Sequence, residues 1–123
     1  MPKQHGAQFV ALCNDAKTRV TEISAAATKR MMEAGEAMFL VDVREQSEWM
    51  VGHAAGAIHL GKGVIERDIE KTIPDVQAVI VLYCGGGFRS ALAADALQRM
   101  GYQKVHSMAG GWRAWLEEDG LVT

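Results

Sequence analysis

The feature that most constrains this chain is the run Val79–Ile80–Val81–Leu82–Tyr83, which stops at Cys84–Gly85–Gly86–Gly87 before Phe88–Arg89–Ser90. A continuous apolar run rich in β-branched residues reads as a strand buried on both faces, as in a parallel sheet. A helical pattern begins near Phe88, with Ala91, Leu92, Ala96 and Leu97 on its apolar side. One thiol is therefore expected at the carboxyl end of a central strand, beside a helix N-terminus, where ligand sites form in open α/β sheets. The glycines let the backbone turn several N–H groups inward to make a concave anion site. The helix dipole adds partial positive charge and Arg89 a full one. Cysteines act as nucleophiles in such electropositive settings, so Cys84 is the candidate catalytic residue. The competing reading makes Cys84 a small buried hydrophobe above a tight turn. It does not explain why three glycines, which lose entropy and add no packing, and an arginine follow a core strand.

Around this stretch the chain alternates strand and helix signals. Residues 7–18 place Phe9, Leu12, Cys13 and Ala16 on one helical face, an N-terminal helix expected to pack on the domain, with a dimer contact as the alternative. Cys13 lacks a glycine loop and reads as an apolar packing residue. Val20–Ile23 alternates like an edge strand, and Ser24 caps a helix from Ala25 to about Ala34, with Ala27, Met31 and Met32 inward. Met38–Val43 reads as a second buried strand. Asp42 and Arg44, two apart, share one side of its extended end. Glu45–Val51 suits a short helix carrying Trp49 and Met50 to the core, and Ala57–Leu60 a brief strand. Val64, Ile65, Ile69 and Ile73 give an amphipathic helix closed by Pro74. Lys104–Met108 forms a last strand, and Gly110–Gly111 opens a helix in which Trp112 and Trp115 anchor the core. Short connections between alternating elements indicate an α/β domain with a parallel sheet and helices on both faces.

Composition narrows the partners. With 123 residues, 49% hydrophobic and 23% charged, the chain suits one globular core. A net charge of −2 gives no reason to expect nucleic acid or an anionic membrane, so any attraction for a small anion is local. No run approaches the roughly 18 apolar residues of a membrane span. The N-terminus lacks the apolar core and cleavage site of a signal peptide. Two cysteines without a CxxC pair make no disulfide framework, and a cytoplasmic, reducing setting follows as the simpler expectation. His53 and His59 match no common zinc spacing, so no metal is expected; His53 is read as making local backbone hydrogen bonds.

Four segments in order resemble the rhodanese-like sulfurtransferases: Leu40–Val41–Asp42–Val43–Arg44–Glu45; Glu48–Trp49 with Gly52–Leu60; Cys84–Gly85–Gly86–Gly87–Phe88–Arg89; and Met108–Ala109–Gly110–Gly111–Trp112. The resemblance covers about residues 20–118. It implies a single rhodanese-like domain over 20–123 with a five-stranded parallel sheet, preceded by an N-terminal helical extension over 1–19. It also implies that Asp42 supports the active-site loop and that Arg44 pairs with an acidic residue such as Glu48, neither reacting itself.

The implied chemistry is a double displacement without a cofactor. Cys84 takes the outer sulfur of a small anionic donor such as thiosulfate and passes it to cyanide or a thiol, either a small molecule or a thioredoxin-like protein. The N–H groups of Gly85, Gly86, Gly87, Phe88 and Arg89 would hold the donor. Arg89 would bind the donor's oxygens if its side chain turns inward. Ser90 reads first as a helix start, with a hydrogen bond to the site as the alternative. A monomer or a homodimer fits equally. A cysteine phosphatase or arsenate reductase is disfavoured, because their Cys-x5-Arg loop is one residue longer than Cys84–Arg89. A non-enzymatic rhodanese-like binding module is the other rival; such modules commonly lack the cysteine.

Overall fold

Every strand and helix expected from the sequence forms, and their order fixes where the thiol sits. The computed structural model describes residues 4–123; the first three residues of the expected extension, Met1–Lys3, lie outside it. In chain order the elements are α1 (Ala7–Lys17), β1 (Thr21–Ile23), α2 (Ala25–Glu33), β2 (Phe39–Asp42), α3 (Gln46–Val51) and β3 (Ile58–His59). There follow α4 (Ile65–Thr72), β4 (Val79–Tyr83), α5 (Phe88–Arg99), β5 (Lys104–Met108) and α6 (Gly111–Glu117). The five strands make one parallel sheet in the order β1-β5-β4-β2-β3, so β4 is central and β1 is indeed an edge. Among the described residues, no helix is long and apolar enough to cross a membrane.

Alternation along β4 divides two cores. Ile80, Leu82 and Cys84 face Ile65 and Ile69 of α4 and Ala93, Ala94 and Leu97 of α5. Val81 and Tyr83 face the opposite core, with Ala25 of α2 and Trp115 of α6. A strand with both faces buried has no polar side to present, which is why this segment is uniformly apolar.

The faces of several helices differ from expectation. In α5 the buried positions are Ser90, Ala91, Ala93, Ala94, Asp95 and Leu97, while Leu92 and Ala96 are half-buried. The reason is tertiary: α1 packs on α5, so this helix is covered on two sides and small residues let both neighbours approach. Cys13 and Ala16 of α1 are fully buried, whereas Leu12 is 56% exposed. Arg19 fastens this packing, with Nε 3.1 Å and Nη2 2.9 Å from the Asp95 carboxylate. In α2, Ser24 caps as expected, accepting from Ala27 N at 3.0 Å, but the fully buried residues are Ala25 and Thr28. Met31 and Met32 are only half-buried. Met50, expected in the core, is 74% exposed. The short α3 has no fully buried residue; Trp49 is half-buried, its ring stacked at 3.4 Å on His53 and 5.0 Å on His59. Val64 precedes α4 and is 37% exposed, leaving Ile65, Ile69 and Ile73 as its buried stripe.

Candidate active site

Cys84 follows the last residue of β4 and is 1% exposed, at the floor of a cleft of about 950 Å³. Gly87 takes a left-handed conformation, φ +96°, which any β-carbon would strain, and this turns its N–H onto Cys84 Sγ at 3.1 Å. Among the amides of residues 85–89, that of Gly87 is the one bonded to the sulfur. On the other side, Ser90 Oγ lies 3.6 Å from Sγ and 2.8 Å from Ser107 Oγ. Ser90 therefore does more than start the helix. A hydroxyl has one proton and two lone pairs, so Ser90 can accept from Ser107 while donating to a thiolate, or reverse both bonds for a thiol.

The loop is held from beneath by the start of α6. Trp112 N donates to Cys84 O at 2.7 Å and Arg113 N to Gly85 O at 3.3 Å. Those are orphan amides of a helix N-terminus, satisfied here by the carbonyls of the cysteine loop. Gly111, at φ +51°, makes the approach possible: a β-carbon there would overlap the Cys84 carbonyl oxygen. Gly110 and Gly111 thus serve the loop as much as the helix they open.

Asp42 and Arg44 form a buried support one layer further in. Asp42 accepts from Arg44 N at 2.8 Å, from Arg44 Nε and Nη2 at 3.0 and 2.7 Å, and from the Tyr83 hydroxyl at 2.7 Å. Tyr83 Oη in turn accepts from Ala54 N at 3.0 Å, and Arg44 Nη2 also donates to Gly52 O at 2.7 Å. Burial above all keeps the Tyr83 phenol protonated far beyond its usual range. The support reaches Cys84 through Tyr83, its chain neighbour. The expected Arg44–Glu48 pair is not formed. Asp42 is two residues away on the same face and takes the guanidinium, while Trp112 stacks over it at 4.6 Å.

Glu48 instead holds Arg89. Arg89 Nη1 and Nη2 donate to Glu48 Oε1 and Oε2 at 2.8 and 3.1 Å, a bidentate pair at the side of the cleft. The guanidinium holds the Glu48 carboxyl at about 2, well below the ordinary carboxylate range. Arg89 does line the cleft, but its fork is already occupied. The remaining guanidinium there is Arg113, an exposed side chain. Phe88 joins an aromatic group with His5 at 4.9 Å and Phe9 at 6.2 Å, under the Lys17 ammonium at 4.5 Å. The segment Gln4–Phe9 therefore builds one wall of the cleft. Cys13 lies in the packing of α1, and burial pushes its thiol up, as suits an apolar packing residue.

A model of the rhodanese-like domain family matches residues 24–118. The chain belongs to this family. Among its relatives, "Putative sulfurtransferase YtwF" of Bacillus subtilis (strain 168) is 35% identical over 96 residues, covering 78% of this chain and 90% of that protein. "Putative sulfur carrier protein YrkF" of the same organism is 30% identical over 96 residues and 78% of this chain; the chain spans about half (51%) of that protein's length. A solved structure from Rhodopseudomonas palustris CGA009, titled as a protein of unknown function and possible tyrosine phosphatase, is 26% identical with a TM-score of 0.88. It covers 100% of this chain and 99% of its own, so the likeness takes in α1 as well as the sheet.

In this rhodanese-like domain, the structure places the loop singled out from the sequence, Cys84 to Arg89, at the cleft, with Ser90 beside the sulfur and Asp42 and Arg44 joined to the loop through Tyr83. The sequence did not single out Tyr83, Ser107, Arg113 or the α1 wall, and it offered Glu48 to Arg44 rather than to Arg89. Tyr83 had a signal, a polar handle inside a core strand, since a buried hydroxyl needs partners. The others join the loop from segments distant in sequence, with no spacing to reveal them.

Proposed function

We propose that the protein transfers sulfane sulfur through a persulfide on Cys84. One observation carries the reading: the sulfur sits at the floor of an open cleft with a backbone N–H at 3.1 Å and a buried serine pair beside it. The Cys84 thiolate attacks the outer sulfur of the donor. A new S–S bond forms to Cys84 while the donor's own bond breaks, its electron pair leaving with the remainder, sulfite in the case of thiosulfate. A thiol or cyanide then attacks the outer sulfur of the persulfide and restores the thiolate. The Gly87 amide and Ser90 hydroxyl offset negative charge at the inner sulfur as it comes and goes. The sulfurtransferase name of a 35% identical relative supports this reading. A reducing cytoplasm, a small donor and a small or protein thiol acceptor suit a site that works through one cysteine.

A phosphatase is the second reading, since a closely superimposing structure carries that title. In a phosphatase the loop arginine clamps a tetrahedral oxyanion; here Arg89 is clasped by Glu48, and the loop is one residue short. The deciding experiment is the intact mass of reduced wild type and Cys84→Ala after exposure to thiosulfate and, separately, to an organic persulfide. One sulfur gained by wild type alone, released by cyanide as thiocyanate, is the expected result. Sulfur on both proteins would move the site to Cys13. Sulfur on neither from either donor would overturn the reading, and hydrolysis of an aryl phosphate would replace it with the phosphatase.

A further inference from the structure

Building on the sulfur-transfer reading, we propose that Glu48 sets the donor class. By clasping Arg89 it withholds the loop's cation from oxyanionic donors, and the cleft then favours an organic persulfide with an apolar body.

The clasp is built into the fold. Glu48 lies in the first turn of α3, and its Oε1 also accepts from Glu45 N at 3.0 Å in a reciprocal helix cap. The carboxylate is thus fixed by its own helix before it meets Arg89, which lowers the entropy spent in holding the pair. On the other side, the Arg89 guanidinium lies over the loop, its Nη2 3.1 Å from where a β-carbon on Gly85 would stand. The pair therefore lines the cleft beside the Cys84 loop. Glu45 also lines the cleft, so Arg89 and Arg113 face Glu45 and Glu48, and the formal charges cancel. A dianion such as thiosulfate meets no net positive field there.

Size and polarity point the same way. A cleft of about 950 Å³ holds roughly 30 water volumes at ~30 Å³ each, far more than a five-atom inorganic ion fills. Phe9, Trp112 and Leu116 give it apolar walls, which a hydrocarbon group can cover and an oxyanion cannot. The step balances without an added oxidant. Cys84–S⁻ attacks the outer sulfur of R–S–SH, the Cys84 S–S bond forms, R–S⁻ leaves with the electron pair, and the proton stays on the transferred sulfur until it ionises to solvent.

The test compares single-turnover sulfur loading from thiosulfate and from benzyl persulfide generated in situ, in wild type, Glu48→Gln, Arg89→Met and the double variant. Glutamine keeps an oxygen for Glu45 N, and melting curves verify folding. Wild type is expected to load faster from benzyl persulfide. Freeing a guanidinium for a charged, bidentate contact is expected to raise thiosulfate loading by Glu48→Gln on the order of 10-fold relative to benzyl persulfide loading by the same variant. In the Arg89→Met background the thiosulfate gain is expected to vanish. An equal gain for both donors, or a gain that survives loss of Arg89, overturns the inference while leaving sulfur transfer intact. No loading from either donor sinks both. Wild type alone gives an independent check: the two arginines are balanced by two glutamates and the Cys84 thiolate adds a negative charge, so thiosulfate loading should not fall as ionic strength rises, and a steep fall with salt would overturn the proposal.

Discussion

The amide of Trp112 donates to the carbonyl oxygen of Cys84 at 2.7 Å, so the cysteine's own backbone is gripped by a helix that begins after the last strand of the sheet. This contact exists because Gly111 lets the two backbones meet. Gly111→Ala would place a methyl group on the Cys84 carbonyl, at a φ of +51° that already disfavours side chains. A loss of about 2 kcal/mol or more is expected in urea unfolding, from overpacking together with backbone strain. Persulfide loading should fall with it even at temperatures where the variant stays folded. A variant with wild-type stability would show that the loop does not depend on this close approach.

The Ser90–Ser107 pair makes a second, separable prediction. Both residues are fully buried, and Ser90→Ala leaves the Ser107 hydroxyl with its 2.8 Å partner removed. The single change should cost about 1–3 kcal/mol, the penalty of an unsatisfied buried hydroxyl. Ser90→Ala with Ser107→Ala should cost less than the sum of the two, because no orphan is left. Both variants should load sulfur more slowly, having lost the hydroxyl 3.6 Å from the thiol. Additive stability effects in this cycle would argue that the two hydroxyls are independent.

Asp42 ties a buried guanidinium and a buried phenol together. Asp42→Asn leaves the Arg44 charge, whose side chain is 4% exposed, without its counter-ion, and should destabilise by about 3–5 kcal/mol. Tyr83→Phe, which orphans the Ala54 amide and removes one of the hydrogen bonds to Asp42 Oδ2 while Arg44 keeps that oxygen paired, should cost about 1–3 kcal/mol. Chemical denaturation of the two variants orders them, and the reverse order would show that the tyrosine is the dominant member.

Acid separates the Glu48–Arg89 pair in a defined window. Glu48 is depressed from an ordinary 4.5 to about 2, so the folded state binds its proton less readily than the unfolded state does. Its contribution to stability is therefore fully present above about pH 5 and lost as pH falls from there toward 2. The stability difference between wild type and Glu48→Gln should be flat above that window and shrink within it. A difference that instead grew on acidification would contradict the pair seen here. Both side chains are about one-third exposed, so added salt should also narrow the gap.

Much of this was legible in the sequence because it is local. The apolar run of β4, the glycines after Cys84 and the capping Ser24 each write their conformation into neighbouring residues. The Asp42–Arg44 contact was within reach too, since residues two apart in a strand share a face. The pairing of Arg44 with Glu48 was expected and did not form, because a charge alone does not say which of two nearby acids will meet it.

By itself, the sequence determined an α/β chain with a parallel sheet and a thiol at the carboxyl end of its central strand, through side-chain periodicity and the conformational freedom of glycine. Only the tertiary structure decided that Glu48 clasps Arg89, that Ser107 completes the serine pair, that Gly111 supports Cys84 from below, and that His5 and Phe9 wall the cleft. These contacts join residues far apart along the chain, and their partners are chosen by packing. In α5, too, the buried face follows from two neighbours at once, the sheet and α1, which no periodicity within one helix encodes.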